Sequence, residues 1–239
     1  MKHLIFGCVA ALLMLPGTAH AAVIASDTFS YADGPLNGSG GWETHSGTAD
    51  DLLVTGGQAF IQHESGSEDV NLLFAGQTTG ILTAQFDAVV SNDAVIGGSD
   101  FEYFAHFMTR GSFNFRSRVD VVAPNNALLG DYTLGISSTT STAEAILSTD
   151  FTFGETVGVT IGFNLDTGIG FLTVGSETIN GTTSSLGETL DAFALRQSGS
   201  SSDETIAIDN LVVTAVPEPT SVFAFAIVGV AAALRRRKR

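Results

Sequence analysis

The chain has 239 residues, with 25 acidic and ten basic side chains and a single cysteine, Cys8. All the acidic residues lie between Asp27 and Glu218, where only Arg110, Arg116, Arg118 and Arg196 oppose them, four against 25, a net charge of −21. Such a surface repels nucleic acid and anionic lipid, because phosphate binding needs clustered Lys or Arg, and with one thiol there is no internal disulfide, so the core alone must hold the fold.

At the start, Lys2 and His3 precede an apolar run from Leu4 to Leu15, Pro16-Gly17 breaks it, and Ala19-His20-Ala21 supplies a small-x-small site. This is the pattern of a secretory signal peptide that signal peptidase removes after Ala21. Cys8 lies inside it. The expected division is a signal peptide over 1–21, one domain over 22–216, and a distinct C-terminal segment over 217–239.

The domain reads as strands. Short runs rich in Val, Ile, Thr and Phe are punctuated by Gly, Asn and Asp every eight to twelve residues or so. The predicted strands are Val23 to Phe29, Leu52 to Val54, Ala59 to Gln62, Val70 to Phe74, Ile81 to Val90, Phe101 to Arg110 and Phe113 to Val122. After a turn at Pro124-Asn125-Asn126 come Tyr132 to Ser137, Glu144 to Leu147, Thr156 to Leu165, Gly170 to Val174, Phe193 to Gln197 and Glu204 to Val216. That is too many for an immunoglobulin-like domain, and a larger all-β jelly-roll sandwich of two antiparallel sheets fits the count.

One predicted hairpin carries chemistry. Pairing Phe101, Tyr103, Ala105 and Phe107 with Val121, Val119, Ser117 and Phe115, across a loop at Arg110-Gly111-Ser112, buries one face. The other face then presents Glu102, Phe104, His106 and Met108 opposite Asp120, Arg118, Arg116 and Asn114. Arg116, Arg118, His106, Phe104 and Asn114 are candidate ligand contacts, because planar hydrogen-bonding groups beside a ring suit a sugar, particularly one bearing carboxylate or sulfate. The same face also reads as an ordinary solvated surface with snorkelling side chains.

Catalytic patterns are few. No Glu-x-Asp-x-x-Glu run places paired carboxylates on one strand face. Asp166-Thr167-Gly168 reads as a hairpin turn rather than half of an aspartic-protease dyad, and the histidines show no close metal-ligand spacing. One like-charge arrangement, Glu102 facing Asp120, suggests a hard-cation site, with calcium as the candidate cofactor.

The C-terminal segment has three parts in order. Val216-Pro217-Glu218-Pro219 runs into an apolar stretch from Val222 to Leu234, and Arg235-Arg236-Arg237-Lys238-Arg239 closes the chain. The apolar stretch is about 20 Å long as a helix, short against a hydrocarbon core of about 30 Å, and the basic tail stops transfer and stays on the cytoplasmic side. Pro-Glu-Pro, apolar segment and basic end together resemble the PEP-CTERM sorting signal of Gram-negative bacteria. The resemblance implies a membrane-anchored precursor, crossing the inner membrane, whose tail a membrane-embedded exosortase recognises and removes.

A second resemblance covers most of the exported part. Asp27-Thr28-Phe29-Ser30-Tyr31-Ala32-Asp33-Gly34-Pro35-Leu36-Asn37-Gly38 with Gly41-Trp42, then Tyr132-Thr133-Leu134-Gly135-Ile136, Phe151-Thr152-Phe153-Gly154-Glu155-Thr156 and Ile208-Asp209-Asn210-Leu211-Val212-Val213, is similar to concanavalin A-like, laminin-G-like domains. That fold sets the first and last strands side by side, so the resemblance implies that Asp27 and Asp209 are on neighbouring strands, a second like-charge arrangement suited to calcium. The resulting expectation is an exported, exosortase-processed envelope or matrix protein acting as a binding or structural module, associated with exopolysaccharide or another envelope glycan, rather than as an enzyme; the alternative is a polysaccharide hydrolase or lyase whose acid and base come from separated strands.

Overall fold

The computed structural model describes residues 20–63, 66–97, 101–140, 142–198 and 203–217. Ala19, Glu218, Pro219, the apolar stretch and the basic tail from Arg235 to Arg239 lie outside the described residues. Among the described residues there are strands and no helix. They are β1 Ala22–Asp27, β2 Gly34–Pro35, β3 Trp42–Gly47, β4 Leu53–Thr55, β5 Gln58–Gln62, β6 Glu68–Gln77, β7 Ile81–Ser91, β8 Phe101–Met108, β9 Phe115–Val122, β10 Thr133–Ser137, β11 Ala145–Ile146, β12 Thr156–Asn164, β13 Ile169–Val174, β14 Glu177–Asn180, β15 Leu190–Arg196 and β16 Thr205–Val216.

Two antiparallel sheets result. The nine-stranded sheet runs β14-β13-β12-β7-β16-β5-β4-β2 with β1 also on β16, and the seven-stranded sheet runs β11-β10-β9-β8-β15-β6-β3. The long β7 shows why such sequences become strands: Leu82, Ala84, Phe86, Ala88 and Val90 point inward and are buried, while the residues between them are half-buried or exposed, a period of two. Phe86 meets Phe104 and Phe193 of the other sheet at 6.2 and 6.0 Å between ring centroids, each ring contributing about 2 kcal/mol by burial.

The first and last strands are neighbours, as the resemblance implied. β16 lies along β7 for its whole length, while its other edge is shared: Thr205 to Ile208 pair with β5, and Leu211 to Ala215 pair with β1. A bulge between Asp209 and Val212, with Asn210 at φ +54°, marks the changeover. A polar tie fixes the same region. The buried Asp27 carboxylate accepts the Trp42 indole N–H at 2.6 Å, the Tyr31 hydroxyl at 3.0 Å and the Phe29 amide at 2.7 Å.

Asp166-Thr167-Gly168 is a turn, between β12 and β13. Asn164 Oδ1 accepts the amides of Asp166 and Thr167, Gly168 takes φ +70°, and Asp166 Oδ2 accepts the Gly80 amide at 2.7 Å. Gly80, at φ +81°, packs so closely on the Val216 carbonyl that a Cβ there would strike it. On its other side the turn holds the segment before β15, through a bond from the Ser184 amide to the Gly168 carbonyl at 2.8 Å. The chain therefore leaves β16 for Pro217 at the end of the sandwich where this turn and Ser184 sit.

Candidate functional site

The β8–β9 hairpin forms, but not in the predicted register. Tyr103 pairs with Asp120, Glu102 with Val121, Ala105 with Val119, Phe107 with Arg116 and Met108 with Phe115. Strict alternation fails because each strand carries a bulge, β8 at Phe104 and β9 between Arg116 and Val119, where Ser117 adopts φ +51°. An extra residue flips the facing of every side chain beyond it. The connection is also longer, from Thr109 to Asn114, and is closed by the Ser112 amide on the Thr109 carbonyl at 3.1 Å.

The bulges sort the predicted ligand residues. Phe104 turns inward and is fully buried against Phe86, so it is a core residue and not a ligand platform. His106 stays on the outer face but is fully covered, with Phe115 at 4.4 Å and Tyr103 at 5.4 Å between ring centroids. Neither of its nitrogens has a hydrogen-bond partner, and burial first, then the charges of Arg118, Arg196 and His45, hold its pKa well below the usual histidine value. It is a neutral packing ring. Arg116 is buried, its side chain 10% exposed, and is ion-paired with Glu188 while also bonded to the Phe115 carbonyl and the Ser185 hydroxyl.

Arg118 and Asn114 do reach a cavity. A cleft of about 380 Å³ is lined by Phe113, Asn114, Phe115, Arg116, Arg118, Ser138, Thr139, Ser184 and Ser185. It sits where the start of β9, the loop after β10 and the segment before β15 converge. Arg118 donates to the Thr140 carbonyl and lies over the Tyr103 ring at 5.1 Å, while Arg196 approaches the same ring at 4.3 Å. Such cation–π contacts fix a guanidinium without neutralising it. The pairs found among the described residues join Arg110 to Glu43, Arg116 to Glu188, and Arg196 to Asp69 and Glu102. Arg118 alone has no carboxylate within 4 Å among them.

One wall of the cleft is clamped by Glu144. One of its oxygens accepts the amides of Thr139 and Thr140 and the Thr139 hydroxyl, and the other accepts the Thr182 amide at 2.6 Å. Burial alone would raise its pKa, but hydrogen bonds from Thr139 and Thr182 outweigh it and hold the group down at about 2. Tyr103, Phe113, Phe115 and these serines and threonines escaped the sequence reading. Alternation had assigned Tyr103 and Phe115 to the core, and no local signal links Ser138 to Ser184.

The four candidate cation ligands do not form one site. Asp27 is occupied by Trp42, Tyr31 and Phe29, Glu102 by Arg196 at 2.5 Å, and Asp120 by the Ser137 hydroxyl at 3.1 Å. Asp209 accepts its neighbour Asn210's amide and stands opposite Asp87. Glu102 does not face Asp120, since Tyr103 takes that place. Among the described residues no three His, Cys, Asp or Glu side chains are grouped to hold a metal, and as a set these carboxylates do not suit calcium's six to eight oxygens.

Comparison with known proteins bears on the fold and on the C-terminal motif separately. The fold is similar to peanut lectin, at 14% identity and TM-score 0.54, covering 83% of this chain and 98% of that one. It is also similar to the lectin UEA-II in complex with galactose, at 14% identity and TM-score 0.50, covering 83% and 99%, and to a sialidase, at 14% identity and TM-score 0.55 over 84% of this chain. The chain spans only 19% of that sialidase's length. At these identities the likeness is one of fold, and no curated protein matches the chain in sequence. Residues 215–238 match the PEP-CTERM protein-sorting motif, so the chain is an exported protein with a membrane-anchored precursor, carrying that motif behind a concanavalin A-like sandwich of the lectin type.

Proposed function

We propose that the domain is a non-catalytic glycan-binding module of the cell envelope or extracellular matrix of a Gram-negative bacterium, released by exosortase and holding exopolysaccharide in the cleft at the start of β9. The observation that carries this reading is Arg118, a guanidinium with no carboxylate within 4 Å among the described residues, lining a cleft whose rim carries the 75%-exposed Phe113 ring. A guanidinium not neutralised by a carboxylate, beside an exposed ring, supplies what sugar recognition uses: directional charge-assisted hydrogen bonds and an apolar plate for a pyranose face. Ser138, Thr139, Ser184, Ser185 and Asn114 complete the polar lining.

The test is a pull-down on the producer's own exopolysaccharide with the purified exported protein, read for both retention and chain length. Retention without shortening is expected, and Arg118→Ala should weaken it about 10- to 100-fold, the worth of a hydrogen bond to a charged group. Depolymerisation would instead assign the fold to a hydrolase or lyase. Equal retention by Arg118→Ala would move the site away from this cleft.

A further inference from the structure

The cleft is chemically unlike the domain around it. We infer that it selects an anionic sugar, with Arg118 meeting a carboxylate or sulfate and Phe113 covering the adjoining ring; this rests on the glycan-binding reading above. The stretch that forms the domain carries 25 acidic residues against four arginines, yet none of the nine lining residues is acidic and two of them are arginines. Each carboxylate nearby has at least one oxygen engaged, although Asp120 Oδ1 and Glu188 Oε2 have no hydrogen-bond partner. Glu188 is bonded to Arg116, Glu144 is spent on the amides of Thr139, Thr140 and Thr182, and Asp120 lies fully buried on the Ser137 hydroxyl. Arg118 therefore leaves the cleft with positive charge inside an acidic surface.

A second observation points to the same ligand. Two buried guanidinium atoms of the lining residues, Arg116 Nε and Arg118 Nε, have no hydrogen-bond partner, while the unpartnered Ser138 hydroxyl lies against Gly170 and Gly181. Both nitrogens can donate. Leaving such groups unpaired costs about 1–3 kcal/mol each, a cost relieved when small side-chain rotations turn them onto an entering acceptor. An ionised carboxylate or sulfate brings charged acceptors alone, whereas each hydroxyl of a neutral sugar, though it can accept, is uncharged and also brings a donor that the two guanidinium nitrogens cannot take. Long-range repulsion by the acidic surface raises the threshold for polyanions in general, so recognition depends on the fork and ring acting together at one residue of the glycan.

The experiment compares four probes by calorimetry at low and moderate salt: an oligogalacturonate, its neutral methyl ester, dextran sulfate and dextran. The full exported protein is used, with Arg118→Ala, Arg118→Lys and Phe113→Ala beside the parent, each checked by melting curve. The acid form should bind at least about tenfold more tightly than its methyl ester, with the preference falling as salt rises. Arg118→Ala should abolish that preference, and Arg118→Lys should restore it in part, a point charge replacing a planar fork. Phe113→Ala should weaken acid and ester alike. Binding of dextran sulfate as well as oligogalacturonate would show that charge is read; binding of oligogalacturonate alone would show that planar geometry is read; either supports the inference. Equal affinity for acid and ester, both lost in Arg118→Ala, would overturn it while leaving the glycan-binding reading intact. Failure of both charged probes, with native exopolysaccharide still retained, would overturn it too. So would an acid preference that survives in folded Arg118→Ala.

Discussion

Two arginines separated by one residue have opposite duties here. Arg116, side chain 10% exposed, faces a Glu188 side chain only 18% exposed, so truncating it strands a partly buried carboxylate. Arg116→Ala should therefore cost on the order of 1–3 kcal/mol in a denaturant titration, while Arg118→Ala should leave the midpoint nearly unchanged and act on binding. Asp120 offers a pH signature of its own. Burial pushes its pKa up to about 7 against the pull of the Ser137 hydroxyl and Arg118, with Glu102 and Glu144 adding to the rise. A folded pKa above the unfolded value of about 3.9 means the group is least costly below about pH 4 and increasingly destabilising as pH rises to about 7. Asp120→Asn should thus melt higher than the parent at about pH 8, by a few degrees, and the advantage should shrink below about pH 7 and vanish near pH 4. A constant difference across that range would mean that Asp120 is not the group responsible.

At the scale of strands, regular alternation was readable and irregularity was not. β7 buries every second residue over its length and β12 does so except that Gly162 is buried too, and both were predicted to within a residue. β3 and β14 were missed because WETHSG and ETIN carry too few apolar residues to alternate; β3 is held by one inward ring, Trp42, and the Asp27 tie. The candidate site failed in the same way. Its register depended on two bulges whose causes are tertiary: Ser117 bends to donate its hydroxyl to the Gly162 carbonyl of the opposite sheet at 2.7 Å, and Phe104 turns in to fill the core beside Phe86. Arg118 and Asn114 were found because composition singles out rare residues, but the loops that complete the cleft are joined by Glu144 across 38 positions. Glu144→Gln should loosen that junction without unfolding the sheets. Hydrogen exchange at Thr139, Thr140 and Thr182 is the readout, faster in the variant at neutral pH. In the parent the carboxylate's pKa is depressed to about 2, so protection is complete above about pH 4.5 and declines as pH falls toward 2.

For the whole molecule, domain and tail were legible for different reasons: one from a spread of weak alternating signals, the other from three compact elements in a fixed order. The tail makes its own prediction. Glu218→Ala should leave Arg235 to Arg239 on the protein recovered from the envelope, by intact mass, while the parent lacks them; a full-length parent would reduce the segment to a plain anchor. The packing of Gly80 between Val216 and the Asp166 turn then takes on a topographical meaning. Four residues separate Pro217 from Val222, at most about 17 Å of extended chain, and Pro217 leaves the sandwich at the pole that carries Ser184 and the cleft. A precursor still moored in the bilayer would hang with its binding mouth turned down toward the lipid headgroups, screened from long polymers. If trimming the tail frees the domain to turn over, maturation would double as licensing: vesicle-bound precursor should ignore a polysaccharide that the trimmed protein captures, and equal capture by both would show that the mouth was open from the start.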